Sequence, residues 1–255
     1  VAWALVTSSP ASTTSTATNS YTISPGASVA TGQRIFVATS TWREVAHGAL
    51  TTPSITDSVN SGSYTEDIGI PASDGGFYAF RVSIFSKVAT GTGTPTITVT
   101  VTNSEGNGCV CWAVSGLSSA TDATAIDKSA TATGTGGTAS AGATTATTAA
   151  NEYVAGVYGD DGWAAVGDSS GNAGAGWTYV KGSGHSGPSG DVFVEHQDSG
   201  SSGTTPTASL ATSVPGGSTT WAMMGVVYKL AGGGAAQDTP ELYDRHRKLR
   251  QILAQ

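Results

Sequence analysis

Charge is what this chain has least of. Only 11% of its 255 residues are Asp, Glu, Lys or Arg, against about 25% in ordinary soluble domains. Basic residues are the scarcer sign, 11 against 18 acidic, for a formal net charge of -7. Phosphate recognition needs clustered Lys and Arg, so this balance argues against nucleic acid as a partner. Long apolar runs are missing as well. None approaches the roughly 18 to 20 residues of a membrane-spanning helix, and no membrane insertion is expected. Val1-Ala2-Trp3 already begins a strand-like segment in place of a signal peptide, so the expectation is either a leader already removed or exit from the cell by another route, such as lysis.

Cysteine is limited to Cys109 and Cys111. Two residues apart in a strand they face the same side, poorly placed for a mutual disulfide, and they read as small core thiols. Metal patterns are lacking too. His47, His185, His196 and His246 lie on separate segments without the spacing of a zinc site. Asp160, Asp161, Asp168 and Asn172 do not match a calcium loop and read as turn residues. No metal and no cofactor are expected.

What is abundant is Thr, Ser, Ala, Val and Gly. Branched Thr and Val fit a pleated sheet, while 35 Gly and 9 Pro supply turns. Disorder is the rival for so polar a chain. It loses to compact apolar runs carrying six Trp, eight Tyr and five Phe. Strand signals fall at residues 2–6, 21–23, 34–41, 54–57, 77–87, 96–102, 109–115, 152–159, 177–180, 191–197, 207–210 and 220–230, with turn residues between nearly all of them. Thr96 to Thr102 alternates fully, setting Ile97, Val99 and Val101 on a core face. In 77–87, Tyr78, Phe80, Val82 and Ile84 share one face and Phe85 lies on the other, as in a strand covered on both sides. Asn107-Gly108 suggests a tight turn. Residues 129–149 and 182–190 read as mobile loops. The expected fold is all-β, a jelly-roll-like antiparallel β-sandwich over residues 1–231 with a short C-terminal α-helix. Residues 28–38 echo 147–155, which suggests two similar halves near 1–120 and 121–231.

Two catalytic patterns occur without their structural context. Gly182-Ser183-Gly184-His185-Ser186-Gly187 lacks the helix that phosphate binding needs, and Gly167-Asp168-Ser169-Ser170-Gly171 lacks the helix of a nucleophile elbow. Glu44, Glu66 and Glu195 have no spacing that recommends a glycosidase pair. The chain is therefore not expected to be an enzyme. Trp42, Trp163 and Trp177 fall at or near expected loops, where an indole face could stack on a sugar. Trp42, Arg43 and Trp177 are the candidate glycan-binding residues, with buried aromatic anchors as the plainer reading.

Residues 232–237 form a Gly-rich hinge, and 238–255 differ in kind from the body. Asp238 or Thr239 can cap a helix, Pro240 suits its first turn, and Arg245, Arg247, Lys248 and Arg250 gather towards its negative end. Leu242, His246, Leu249, Ile252 and Leu253 fall on one stripe, the candidate partner-binding surface. A helix this short is marginal alone. It is expected either to pack on its own body or to dock on another subunit.

Three groups of segments carry a resemblance. Tyr21-Thr22-Ile23-Ser24-Pro25-Gly26, Gln33 to Ala38 and Ile55-Thr56-Asp57-Ser58 with Tyr64 come first. Thr96 to Val101, Cys111 to Leu117 and Thr220 to Lys229 continue the order. Together, over roughly residues 1–231, they resemble a β-sandwich domain recurrent in tailed-phage structural proteins and some secreted bacterial surface proteins. The resemblance implies no catalytic residues. It implies a virion structural protein, a head decoration or a tail or fibre component, located on the virion surface or outside the cell. Its expected partners are other virion subunits (capsid or tail proteins) and further copies of itself as a homo-oligomer. The alternative is a secreted glycan-binding module or adhesin recognising a host-surface glycan.

Overall fold

The computed structural model describes residues 2–6, 11–16, 19–45, 50–73, 75–76, 78–120, 123–161, 166, 169–183, 190–214 and 219–232. The expected hinge beyond Gly232 and the expected C-terminal helix lie outside the described residues, as do Trp163, Asp168 and His185. The described residues form sixteen strands: β1 (Ala4–Leu5), β2 (Ala11–Thr16), β3 (Ser20–Ile23), β4 (Arg34–Glu44), β5 (Ser54–Asp57), β6 (Thr65–Ser73), β7 (Tyr78–Val88), β8 (Ile97–Thr100), β9 (Gly106–Ser115), β10 (Ile126–Thr135), β11 (Gly137–Ala143), β12 (Tyr153–Asp160), β13 (Thr178–Gly182), β14 (Val192–Asp198), β15 (Thr207–Val214) and β16 (Thr220–Tyr228). All their pairings are antiparallel.

The strands form four sheets. The first inner sheet runs β1-β9-β4-β7-β6 with β2 also on β9, and the second runs β10-β16-β12-β14-β13. The outer sheets are β3-β8-β5 and β11-β15. Apart from β1 and β5, each strand of residues 11–115 has a counterpart in residues 126–228, in the same chain order and the same sheet position. β4 and β12, which contain the ends of the two echoing segments, occupy the same central place. Where the first half has β5 beside β8, the second has an isolated bridge from Ala173 to Leu210 beside β15.

The two inner sheets bury their apolar faces on each other. Phe36, Phe80, Val82, Ile84, Val110, Trp112 and Val114 of one meet Tyr153, Val157, Val194, Met224, Val226 and Tyr228 of the other. Facing pairs are reciprocal: β9 meets β14 as β7 meets β16, and β6 meets β16 as β9 meets β13. This is the pattern of a two-fold contact inside one chain. Trp112 stacks on Phe36 at 5.1 Å and 15°, while Phe36 meets Tyr228 edge to face at 4.9 Å. The Trp112 indole donates to Tyr153 Oη at 2.8 Å across the interface, so a polar pair inside the core is satisfied.

The outer faces of the inner sheets are covered in turn. Ile35, Val37, Cys109, Cys111 and Phe85 pack under Ile23, Ile55, Ile97 and Val99. Tyr158, Phe193, Trp221 and Met223 pack under Ala139, Ala141, Ala208 and Leu210. Both cysteines are free and buried. The body is thus layered outer–inner–inner–outer; β4, β9, β12 and β16 carry buried apolar residues on both faces, and β7 adds Phe85 to the outer one.

Several expectations change. Residues 129–149 are not simply a loop, since they carry most of β10 and all of β11. Their small side chains gain burial from Trp221, whose ring fills the space beside Gly134 and whose Nε1 donates to Gly136 O at 2.9 Å. Asn107-Gly108 lies within β9 and is not a turn. The left-handed residue is Asn103 instead, at φ 64°. Gly108 serves close approach: a Cβ there would stand 2.0 Å from Gly190 O, two residues before β14 of the facing sheet.

Both chain ends of the body lie at one pole. β4 starts opposite Val114 and β12 starts opposite Tyr228. Phe36 meets Tyr153 near these starts, and further along Ser40 Oγ donates to Asp160 O at 3.4 Å. At the starting pole β1 pairs with Ser115, Leu117 bridges Leu230, and Ala231 N donates to Gly116 O at 2.8 Å.

The close backbone approach at Gly108 yields a test. Gly108→Ala is expected to destabilise the chain by about 3 kcal/mol, because backbone rather than a flexible side chain must move. Urea unfolding followed by both tryptophan fluorescence and far-UV circular dichroism should show a lower midpoint in one shared transition.

Candidate functional site

Near that pole the edges of the two inner sheets, β6 and β10, flank a shallow cleft of about 520 Å³. Asp67 and Ile68 line one side, Ile126, Asp127, Lys128 and Ser129 the other, with Thr145 beyond. Beneath it Tyr228 Oη donates to Asp67 Oδ2 at 2.7 Å, joining the halves. Arg34, turned inward at the start of β4, donates from Nη1 to Ser86 Oγ at 2.7 Å and from Nη2 to Ser118 O at 2.8 Å. It also bonds Ala120 O. Burial pushes the Asp67 carboxyl up, against hydrogen bonds from Ser86 and Tyr228 and the charge of Arg34. Burial likewise lowers Arg34, opposed by Asp67.

A pair of carboxyls, Asp127 and Glu152, adjoins this cleft. Burial acts to raise Asp127, but Thr148 outweighs it, with N at 2.7 Å from Oδ2 and Oγ1 at 2.6 Å from Oδ1. The net result holds Asp127 below its ordinary value. Glu152, 0% exposed, is pushed up to about 7 by burial and then by the charge of Asp127. Ala149 N at 3.3 Å from Oε2 offsets part of that rise. Two carboxyls driven apart in this way can share or pass a proton. Only Asp127 of the two lines the cleft. The cleft itself offers oxygen acceptors, one ammonium group and two apolar side chains, a lining suited to a hydroxyl-rich or cationic group.

Glu195 has a different task. Buried on β14, it accepts from Gly174 N at 2.9 Å and Ser209 N at 3.2 Å. It thereby ties the chain after the 3-10 turn at Ser170–Asn172 to the edge of β15 where the first half has β5. Burial pushes it up to about 7, against those two backbone bonds. His196, on the opposite face, is 7% exposed. It sits in edge contact with Trp3 and stacked on Tyr153, and burial lowers its pKa.

The structure does not bring the candidate glycan residues together on an open surface. Trp42 is 6% exposed and meets Tyr78 edge to face at 5.5 Å, inside the central core. Arg43 is 1% exposed, its Nε donating to Glu44 O at 3.3 Å. β4 runs three residues beyond the expected strand and carries both positions into the sheet. Trp177 is half-buried, with Nε1 bonded to Thr207 O at 3.0 Å. Leu242, His246, Leu249, Ile252 and Leu253 lie outside the described residues. Glu66 is held by Arg81 at 2.7 Å and by Ser83 Oγ at 2.7 Å. Asp160 accepts from Tyr158 Oη at 2.8 Å, and Asp161 from Thr220 N at 3.1 Å.

Among the described residues no three His, Cys, Asp or Glu side chains are grouped to hold a metal. No described helix is long and apolar enough to cross a membrane. Asp67, Asp127 and Glu152 were not singled out by the sequence. Their one local signal was Asp127-Lys128, charges in a stretch with almost none.

No protein-family model matches the chain, no curated protein matches its sequence, and no solved structure matches its fold.

The two carboxyls raised from an ordinary 4.5 to about 7 set a pH dependence. Their contribution to stability is fully present below the ordinary value and is lost as pH rises through about 7. His196, lowered by burial, works in the opposite sense on the acid side. Glu152→Gln is expected to shrink the fall in Tm between about pH 5 and about pH 8, as read by calorimetry. An unchanged fall would remove Glu152 as its source.

Proposed function

We propose that the chain is a structural, non-catalytic protein of a bacteriophage-type virion. It would act as a head decoration or a tail or fibre component, displayed on the virion surface and attached to other subunits through residues 238–255. One observation carries this reading: β1 and Gly232 leave the body at the same pole. A tail continuing from there can attach one end of the body and leave the other end, where β4, β12 and their neighbours finish, free to face outward.

The fold agrees with that use. Each half is read as jelly-roll-like, supported by the order β2-β9-β4-β7 against β3-β8-β5 and by its repetition in β10-β16-β12-β14 against β11-β15. Hydroxyl side chains dominate the outward face of the first outer sheet, where Thr22 and Thr56 flank Thr98. Such a surface stays soluble without many charges. The glycan-binding alternative draws less support, because Trp42 and Arg43 are buried.

Deleting residues 238–255 is expected to abolish incorporation into particles while the body keeps its far-UV circular dichroism and Tm. Incorporation of that truncated chain at the normal level would overturn attachment through the tail.

A further inference from the structure

Sheet edges expose unpaired N–H and C=O groups, and proteins usually guard them with proline, charge, bulges or a covering segment. Most edges here are guarded. β6 carries Pro71, the charges of Glu66 and Asp67, and a register shift between Glu66 and Ile68. β13 has a register shift between Tyr179 and Lys181 and the charge of Lys181. The edge of β15 is covered by the Ala173 bridge, the Glu195 carboxylate and the Trp177 indole. β5 is bonded on its outer side by Tyr64 N to Ile55 O at 3.0 Å.

β10 lacks such devices from Ser129 to Thr135. Among the described strands it ends the second inner sheet and pairs with β16 alone. Its one register shift lies earlier, between Ile126 and Lys128. The seven residues Ser129-Ala130-Thr131-Ala132-Thr133-Gly134-Thr135 contain neither proline nor charge. Among the described residues, no backbone partner occupies their outer side. β2, the counterpart in the first half, spans six residues to the ten of β10. Along β10 the hydroxyl side chains Ser129, Thr131, Thr133 and Thr135 are exposed, while Ala130, Ala132 and Gly134 are half-buried. On the half-buried side the Trp221 ring lies against Gly134.

This segment is complementary to itself. Two antiparallel copies related by a two-fold axis through Ala132 place Thr131 opposite Thr133 of the second copy and Ser129 opposite Thr135. Every cross-strand pair on the exposed face is then hydroxyl to hydroxyl, a favourable pairing with no like charges opposed. We propose that β10 is a self-association edge: a second copy of this chain adds its own β10 antiparallel, joining two inner sheets into one continuous sheet. A contact of this size is weak alone and gains strength when many copies are held near one another. It deepens the structural reading above by naming a copy-to-copy contact, but stands on the strand itself. Incorporation of the truncated chain tests the function and self-association of the purified chain tests the edge, so either can fail without the other.

The test is sedimentation velocity on the full chain from low micromolar to near-millimolar concentration, with far-UV circular dichroism and Tm as controls for folding. Wild type should show a concentration-dependent dimer. Thr131→Lys with Thr133→Lys sets like charges opposite each other and should weaken association by about tenfold or more. Thr131→Lys with Thr133→Glu sets opposite charges in the same positions and should restore it. A chain ending at Gln237 keeps every residue of the three cores and should still dimerise. A wild type monomeric throughout, a dimer unaffected by the double lysine, a failure of the lysine–glutamate pair to restore it, or a dimer lost only with the tail would each overturn the proposal.

Discussion

The structure depends on two inner sheets burying their apolar faces on each other. Among the described residues neither face has another partner, and left open each would expose an apolar area far larger than soluble proteins tolerate. Phe36, Trp112, Tyr153 and Tyr228 form the centre of this contact, and the Trp112–Tyr153 hydrogen bond fixes their relative position. Gly108, Gly159 and Gly190 let the backbones approach where side chains would collide. The common pole of the chain ends, the cleft between β6 and β10, and the lateral position of β10 follow from how these sheets are superposed.

The scarce charges have a consistent use. Many of them act as internal struts and not as surface decoration. Arg34 holds the carbonyls of the crossover between halves, Asp57 collects Val59 N, Asn60 N and Tyr64 Oη, Glu66 pairs with Arg81, and Glu195 stands in for part of a missing strand. Each satisfies polar groups that would be costly to bury unpaired. The carboxyls at Asp67, Glu152 and Glu195 are raised because burial, more than neighbouring charge, governs them. These three raised carboxyls therefore lie inside, at the joints between layers.

Strands with large alternating side chains were legible in the sequence. Ile97, Val99 and Val101 form a core face, Phe80, Val82 and Ile84 lie opposite Phe85, and Cys109 and Cys111 face away from Trp112. β10 and β11 were not, because Ala, Gly and Thr produce little hydrophobic contrast and their burial comes from Trp221, some ninety residues distant. Trp42 looked like a loop residue because apolar patterning ends before it, yet pairing with β7 carries the strand through Glu44. The cleft was hidden for a related reason. Asp67, Asp127 and Glu152 come from segments far apart, and only the packing of one half on the other gives them a common environment.

Arg34 reaching Ser118 O and Ala120 O has a kinetic consequence. Two separate proteins meeting through the same faces would part on dilution, at a rate and extent set by their concentration. Here the crossover makes the meeting intramolecular, and the guanidinium shortens the free length of that tether. The halves stay mated however few copies are present.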